Sequence, residues 1–409
     1  MGDYSFLRIA AWATYDLANT IFAINILSLY FPLWVIEDQG GSDLLYAGAA
    51  STSLFLASLF MPFLGTLSDY LKRRMVFLID ATLLCVFATV MLSSVSSLKE
   101  GLFFFGVANL GYQLGLLFYD ALLPEVGPPH IIGKVSGLGV ALGYVGTLIG
   151  LALVRPFVLA HGHRAAFLPT AIFFLLFSLP CFFFVRDPKP LRSPPLSFLI
   201  QETTERLKRG ISHFGKRTPL RQMLWVHFFS LLAIQPVILF MAIYTQRVIG
   251  LRDNEMITFF IVTTFMAILG SFLCGILTDP LGPRRMLLVS LAGWCIGLLI
   301  ASVSVARWQF WVAGGLIGAV LGSTWVSSRV LIIRLSSAEY LGEIFGCMGL
   351  VGRTAAILGP LIWGGIVWGF KTHFPWNYRL ALLCLLSWMF ISLALLVKRL
   401  PESSLKGTP

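Results

Sequence analysis

The sequence predicts an all-α polytopic membrane protein: twelve transmembrane helices built as two pseudo-symmetric six-helix bundles. Composition is the first reason. Of 409 residues, 57% are hydrophobic and 12% charged, and the mean hydropathy is +0.84. A soluble domain carries about 25% charged residues, and no globular core hides this much apolar side chain, so the bilayer is the solvent. The second reason is the long, nearly uncharged runs, such as 54–64, 76–92 and 257–277. These lack the polar–apolar alternation of a membrane barrel and suit helices. The third is repetition: GTLSDYLKRR (65–74) is echoed 210 residues later by GILTDPLGPRR (275–285).

Taken in order, the expected spans lie near 8–34, 45–67, 75–96, 101–124, 132–154 and 166–185 in the first half. The second half supplies 219–245, 255–277, 286–305, 308–332, 343–369 and 378–397. The domain expectation is a bundle over 1–186, a linker over 187–217 and a second bundle over 218–409. Glycines reinforce the repeat: Gly133, Gly137, Gly143 and Gly150 each find another 209 residues on, at Gly342, Gly346, Gly352 and Gly359. The linker opens DPKPLRSPP, which cannot continue a helix. It is then either an amphipathic surface helix, with Leu196, Leu199, Ile200, Leu207, Ile211 and Phe214 on one face, or a solvated connector.

The net charge is +11. With the N-terminus inside, most of the Lys and Arg fall in cytoplasmic segments, as the positive-inside rule requires. Both termini are then cytoplasmic, and the basic excess contacts anionic lipid headgroups rather than nucleic acid. The first span runs past signal-peptide length and carries Asp16 and Asn19. All six cysteines lie in expected spans and read as packing residues. His161 and His163 flank one glycine, and two ligands do not make a zinc site. Walker, HExxH and GxSxG motifs are absent, so the expectation is no enzyme, no cofactor, no catalytic residue and no metal.

Parallel six-span repeats, a cytoplasmic linker and GxLxDxxxxR[R/K] between spans two and three resemble the major facilitator superfamily. Gly65, Leu67, Asp69, Arg73 and Arg74 match its loop motif. Gly275, Leu277, Asp279, Gly282, Arg284 and Arg285 match it again. Lys72 replaces the motif's second glycine in the first copy, and Pro283 shifts the arginines of the second. YDLANTIF (15–22), FYDALLP (118–124), SSRVLIIRL (327–335) and EIFGCMGLVGRTAAILGP (343–360) further resemble the branch of vacuolar, autophagy-linked amino-acid effluxers and their bacterial relatives. Where that branch carries Asn this chain has Asp120, which adds a titratable group.

The resemblance implies a monomeric secondary active transporter working by alternating access, with an amino-acid-like solute moved outward. Compact loops point to a bacterial inner membrane. Drive would come from the solute gradient or from protons titrating Asp16 or Asp120. The alternatives are a proton-coupled exporter of amphiphilic drugs or lipids, and a non-transporting receptor or assembly factor on the same fold.

Ionisable residues inside a bilayer cost roughly 2.5–3.5 kcal/mol on insertion scales, so each needs a reason. Asp16 lies ~12 Å into the first span at 1.5 Å per residue, one turn from Asn19, with Asn25 beyond. These line a polar face of the cavity, or Asp16 bonds a neighbouring helix. Gln235, beside Pro236, is the repeat counterpart of Asn25. Arg353 lies ~15 Å into the eleventh span, too deep for easy snorkelling. It meets a structural carboxylate or an anionic group of the substrate. Asp120 and Arg329 are related by the 209-residue repeat and form either a gate at the inner mouth or, for Arg329, a snorkelling cation. Tyr112, Gln113, Tyr119 and Trp325 are candidate ligand walls, whereas His227 reads as packing. In the motif, Asp69 can accept from backbone or arginine donors at a helix start and so act as a conformational latch, with Asp279 repeating it.

Overall fold

In a computed structural model of the chain, residues 6–41, 43–187, 200–205 and 218–399 are described. Among them, twelve helices are long and apolar enough to cross a membrane. The first half supplies α1 (Phe6–Phe22, continuing to Asp38), α2 (Asp43–Leu71), α3 (Arg74–Ser94), α4 (Leu98–Val126), α5 (Ile132–His161) and α6 (Phe167–Phe184). The second supplies α7 (Thr218–Tyr244), α8 (Asp253–Leu281), α9 (Pro283–Val303), α10 (Arg307–Leu335), α11 (Leu341–Gly369) and α12 (Trp376–Arg399). Every expected span is present. Most run some residues longer than their apolar stretches, because a helix ends where its caps lie rather than where the oil stops.

The largest difference is in α1, which widens into π-type turns over Ala23–Tyr30 and again over Trp34–Asp38. Such turns occur often at functional sites, and the first begins beside Asn25. Of the expected linker helix, Ile200 is in a described helical stretch and half exposed. Leu196, Leu199, Leu207, Ile211 and Phe214 lie outside the described residues.

Contacts divide the chain into two compact units. The first comprises 1–129, 142–210 and 338–350; the second comprises 130–141, 211–337 and 351–409. Within the first, α1 packs on α6, α2 on α4, and α3 on both α4 and α6. Within the second, α7 packs on α12, α8 on α10, and α9 on both α10 and α12. Adding six to each helix number converts one set into the other, which is the sequence repeat expressed as packing. The first unit's core is aromatic where α1, α4 and α6 meet: Phe31 and Phe105 stack at 4.3 Å, and Phe22 packs on Phe174. Large apolar side chains such as Phe87, Phe103, Ile296 and Phe390 remain exposed along the helices, as a lipid-facing surface requires.

The repeated glycines sit at helix crossings, and this is why they share a register. In the first unit, methyl groups on Gly143 and Gly150 would press on Asp16, Thr20 and Ile21 of α1, and one on Gly346 would lie 2.7 Å from the Met61 carbonyl of α2. In the second, one on Gly359 would lie 2.8 Å from the Leu232 carbonyl of α7, and one on Gly137 2.7 Å from Gly275 Cα of α8. Small residues are what let helix backbones approach this closely in a membrane.

Candidate functional site

The first copy of the repeated motif ends α2 and starts α3. The chain reverses at Lys72, which takes φ +53°, a left-handed conformation that non-glycine residues seldom adopt. The turn brings Arg74, the first residue of α3, back onto Asp69. Arg74 Nη2 lies 2.7 Å from Asp69 Oδ1, and Nη1 lies 2.8 Å from Glu125 Oε1. The same guanidinium donates to the carbonyls of Ala121 at 3.2 Å and Ala338 at 2.6 Å. Arg74 and Asp69 are both buried, with 7% and 4% of their side chains exposed. Several donors and acceptors therefore replace the water each has lost, as a buried pair requires.

Asp69 also accepts from the backbone N–H of Glu343 at 3.0 Å, at the N-terminus of α11. A carboxylate there meets open amides and the positive end of the helix dipole. Asp187 does the same for α3, accepting from Met75 N at 2.7 Å and Val76 N at 3.3 Å. Burial pushes the Asp187 carboxyl above its ordinary range, against the pull of these two amides. A cavity of about 660 Å³ opens at this cluster, bordered by Arg8, Lys72, Arg186 and Glu339. Arg73 begins the same helix start, and its N–H donates to the Ser68 carbonyl.

The second copy ends α8 and starts α9. Gly282 turns the chain at φ +89°, where only glycine is comfortable. Asp279 accepts from Gly133 N at 2.8 Å and Lys134 N at 3.0 Å, at the N-terminus of α5. Gly133 and Gly342 are repeat partners, so each motif aspartate caps the corresponding helix. Arg284 differs: its Nη2 reaches the carbonyls of Leu396 and Val397 near the end of α12, at 3.4 Å. Arg285 follows it in the first turn of α9.

The mid-span candidates fall on both units. In the first, Asp16 is part-buried and its carboxylate faces the Gly143 crossing, while Thr20 Oγ1 donates to the Asp16 carbonyl. Asn19 is 1% exposed, and neither of its amide atoms has a hydrogen-bond partner among the described residues. It lies on the Trp12–Tyr15–Phe22 face of α1, which packs against α4 through Trp12–Tyr119 and Phe22–Tyr112 contacts. Asn25, fully buried, donates to the Ile21 carbonyl. Gln113 is buried and donates to Asn109, which donates to Ser53 of α2 at 2.7 Å. Asp120 is part-buried on α4.

In the second unit, Gln235 and Trp325 are part-buried, and Arg329 Nη1 reaches Ser136 Oγ at 3.4 Å. Arg353 follows Gly352 at the crossing of α11 and α7. Twelve residues into α11, it is ~18 Å from the helix start, yet its side chain is only part-buried. His227 comes to the same crossing: a methyl on Gly352 would sit 3.6 Å from its Nε2.

Sequence reasoning passed over Ser53, Asn109, Glu125 and Asp187, and treated His227 as packing. The four-residue spacing of Asn109 and Gln113 was the one available signal of a shared face. Glu125 and Asp187 become visible only once the ends of α3, α4 and α6 are placed together.

Comparison with known proteins agrees with this architecture. The chain is 26% identical over 377 residues to the uncharacterized MFS-type transporter YxiO of Bacillus subtilis, covering 86% of each protein. It is 24% identical over 368 residues to the multidrug resistance protein MdtG of Salmonella choleraesuis, covering 86% of this chain and 87% of that protein. The crystal structure of the human organic anion transporter MFSD10 superposes with a TM-score of 0.74 at 14% identity, over 95% of this chain and 99% of that one. The family model of the Major Facilitator Superfamily matches residues 17–269 and 255–408. With the fold, the repeated motif and this match in agreement, the chain belongs to the Major Facilitator Superfamily of transporters.

Proposed function

We propose that the chain is a secondary active transporter of a small zwitterionic, amino-acid-like solute, with Arg353 receiving the solute's carboxylate. The observation that carries this reading is the position of Arg353. A guanidinium halfway along α11, beside a glycine crossing and only part-buried, is a costly feature that anion recognition explains. A planar carboxylate matches the guanidinium fork, so binding takes two parallel hydrogen bonds. The amides of Asn19 and Gln113 are candidate neutral polar contacts within the first unit. Gln235 and Trp325, both part-buried, are candidate wall residues of the second unit, and Tyr112 and Asn25 are candidates on α4 and α1. Asp16 and Asp120 are the groups through which protons would couple to the cycle. Export from a bacterial inner membrane, with both termini cytoplasmic, follows from the charge distribution and the branch resemblance.

In this reading Asp69 and Asp279 are latches on the cytoplasmic ends of α2 and α8. Each holds the start of α11 or α5 while closed and releases it as access alternates. The membrane-facing basic residues contact anionic headgroups, and the working unit is a monomer.

Reconstituted wild-type protein is expected to take up radiolabelled amino acids into liposomes, and Arg353→Ala to lose uptake while remaining monodisperse. Undiminished uptake by that variant would contradict the assignment.

A second reading, export of amphiphilic drugs, is favoured by the 24% identity to MdtG over most of both chains. Saturable stabilisation of the wild type by hydrophobic cations, with no response to amino acids, would select it.

A further inference from the structure

We infer that α9 and α12 form a binding site for a glycerophospholipid, with one acyl chain in a groove between them and the phosphate at Arg379. The two helices pack on each other within the second unit. A groove of about 620 Å³ runs between them, lined by Cys295, Ile296 and Leu299 of α9 and by Leu383, Leu386 and Phe390 of α12. That is the size of a small-molecule site, about 300–1,000 Å³. Ile296, Leu299 and Phe390 are all exposed, so the groove opens to the hydrocarbon around the helices.

The groove has a polar head. Arg379 sits one helical turn before Leu383, on the stripe that continues through Leu386 and Phe390. Its Nη2 donates to the Ser304 carbonyl at 2.9 Å, one residue past the end of α9. The guanidinium thus bridges the two helix ends, opposite the motif turn at Gly282. It also lies over the exposed Trp376 ring, 5.6 Å from the ring centre, and indole rings favour the headgroup level. Arg379 is part-buried, and its Nε finds no acceptor among the described residues. A guanidinium held by one carbonyl and one indole keeps donors for a phosphate, which it can engage two at a time. The length fits one leaflet. From Arg379 to Phe390, α12 rises about 16 Å at 1.5 Å per residue, against about 15 Å for half the hydrocarbon core. A cation at the head of an apolar trough of leaflet length has the shape and charge pattern of a phospholipid. A second copy of the chain fits less well, because Arg379 would need an acid opposite it and the groove lining includes none.

The test is photo-crosslinking of full-length protein reconstituted in liposomes. The probes are phosphatidylglycerol with a diazirine in the middle of one acyl chain, and diacylglycerol with the same chains. Labelled residues are mapped by mass spectrometry for wild type, Arg379→Ala and Leu383→Trp. In wild type, the phospholipid label is expected to concentrate on 295–299 and 383–391 and to exceed the diacylglycerol label there. Arg379→Ala is expected to lower the phospholipid label about tenfold, the worth of a charge-assisted hydrogen bond, and to leave the diacylglycerol label unchanged. Leu383→Trp, which fills the groove from an exposed position, is expected to lower both. Label spread evenly over the exposed spans, or unchanged in both variants, overturns the site. So does a cross-link between two copies of the chain through this face in place of lipid label. If Arg379→Ala fails to fold, equal labelling of wild type by the two probes overturns the phosphate contact, and undiminished label in Leu383→Trp overturns the groove.

Discussion

The two copies of the repeated motif do the same thing with their aspartates and different things with their arginines. Asp69 caps the start of α11 and Asp279 the start of α5, through backbone amides at 2.8–3.0 Å. Arg74, however, is buried between Asp69 and Glu125, whereas its counterpart Arg284 reaches carbonyls at the end of α12. The repeat partner of Glu125, 209 residues on, is Arg334. A guanidinium at the second site therefore has no carboxylate at that position to meet. Duplication preserved the backbone geometry and the helix cap, and the charge on one neighbouring helix end diverged. The first copy is accordingly a buried ionic cluster, and the second is a cap with a more peripheral cation.

The widest separation between the copies is expected from the arginines. Arg74→Ala leaves the buried carboxylate of Asp69 and that of Glu125 without their cation, at about 3–5 kcal/mol. Arg284→Ala removes two long bonds to carbonyls and is expected to cost about 1 kcal/mol. Thermal unfolding of the detergent-purified variants compares them, and equal losses would break the distinction.

The turns should separate the copies next. Gly282→Ala forces a side chain into a conformation suited to glycine and is expected to cost about 1–3 kcal/mol. Lys72→Gly relieves a strained residue, but glycine also loosens the unfolded chain, so a change below about 1 kcal/mol is expected. A large destabilisation by Lys72→Gly would show that the Lys72 side chain itself holds the loop.

The aspartates should separate only through Arg74. Asp69→Asn and Asp279→Asn each weaken a charge–dipole cap by up to about 2 kcal/mol, and Asp69→Asn additionally loses its pairing with Arg74. The Arg74→Ala background removes that extra loss, so there the two effects should converge.

The smallest effect concerns pH. The folded-state pKa of Asp187 is raised by burial, so the native state takes up a proton before the unfolded chain does as pH falls. Its ionised form therefore costs native stability above that raised pKa, and the cost disappears as pH drops through it. The stability gap between wild type and Asp187→Asn is expected to shift over this window, just above the ordinary carboxylate range. A gap independent of pH would contradict the burial argument.

Much of this architecture was readable in the sequence. The oily runs, the 210-residue motif repeat and the four glycine pairs all reappear as helices, helix starts and helix crossings. A short-range feature such as Arg74 beside Asp69 was also accessible, because five residues of a tight turn dictate it. What was not readable depends on contacts between distant helices. Glu125 and Asp187 look like ordinary loop-edge acids until α4 and the end of α6 converge on α3. Asn109 was hidden for the same reason, since its partner Ser53 is on α2. His227 reads as packing because a lone histidine on an apolar helix is most often that, and only the α7–α11 crossing brings it to Gly352. The π-type widening of α1 has one local signal, Pro32 between its two segments, which lacks an N–H for the helix ladder.

The central claim is a division of labour: the motif clusters hold the helix ends, and Arg353 meets the solute. One measurement tests both parts, namely thermal stability and amino-acid binding recorded side by side for Arg74→Ala and Arg353→Ala. The account predicts that Arg74→Ala lowers the unfolding temperature sharply while folded protein binds within about threefold of wild type. It predicts that Arg353→Ala unfolds near the wild-type temperature and no longer binds the carboxylate ligand. Binding that survives in Arg353→Ala and vanishes in folded Arg74→Ala would contradict it.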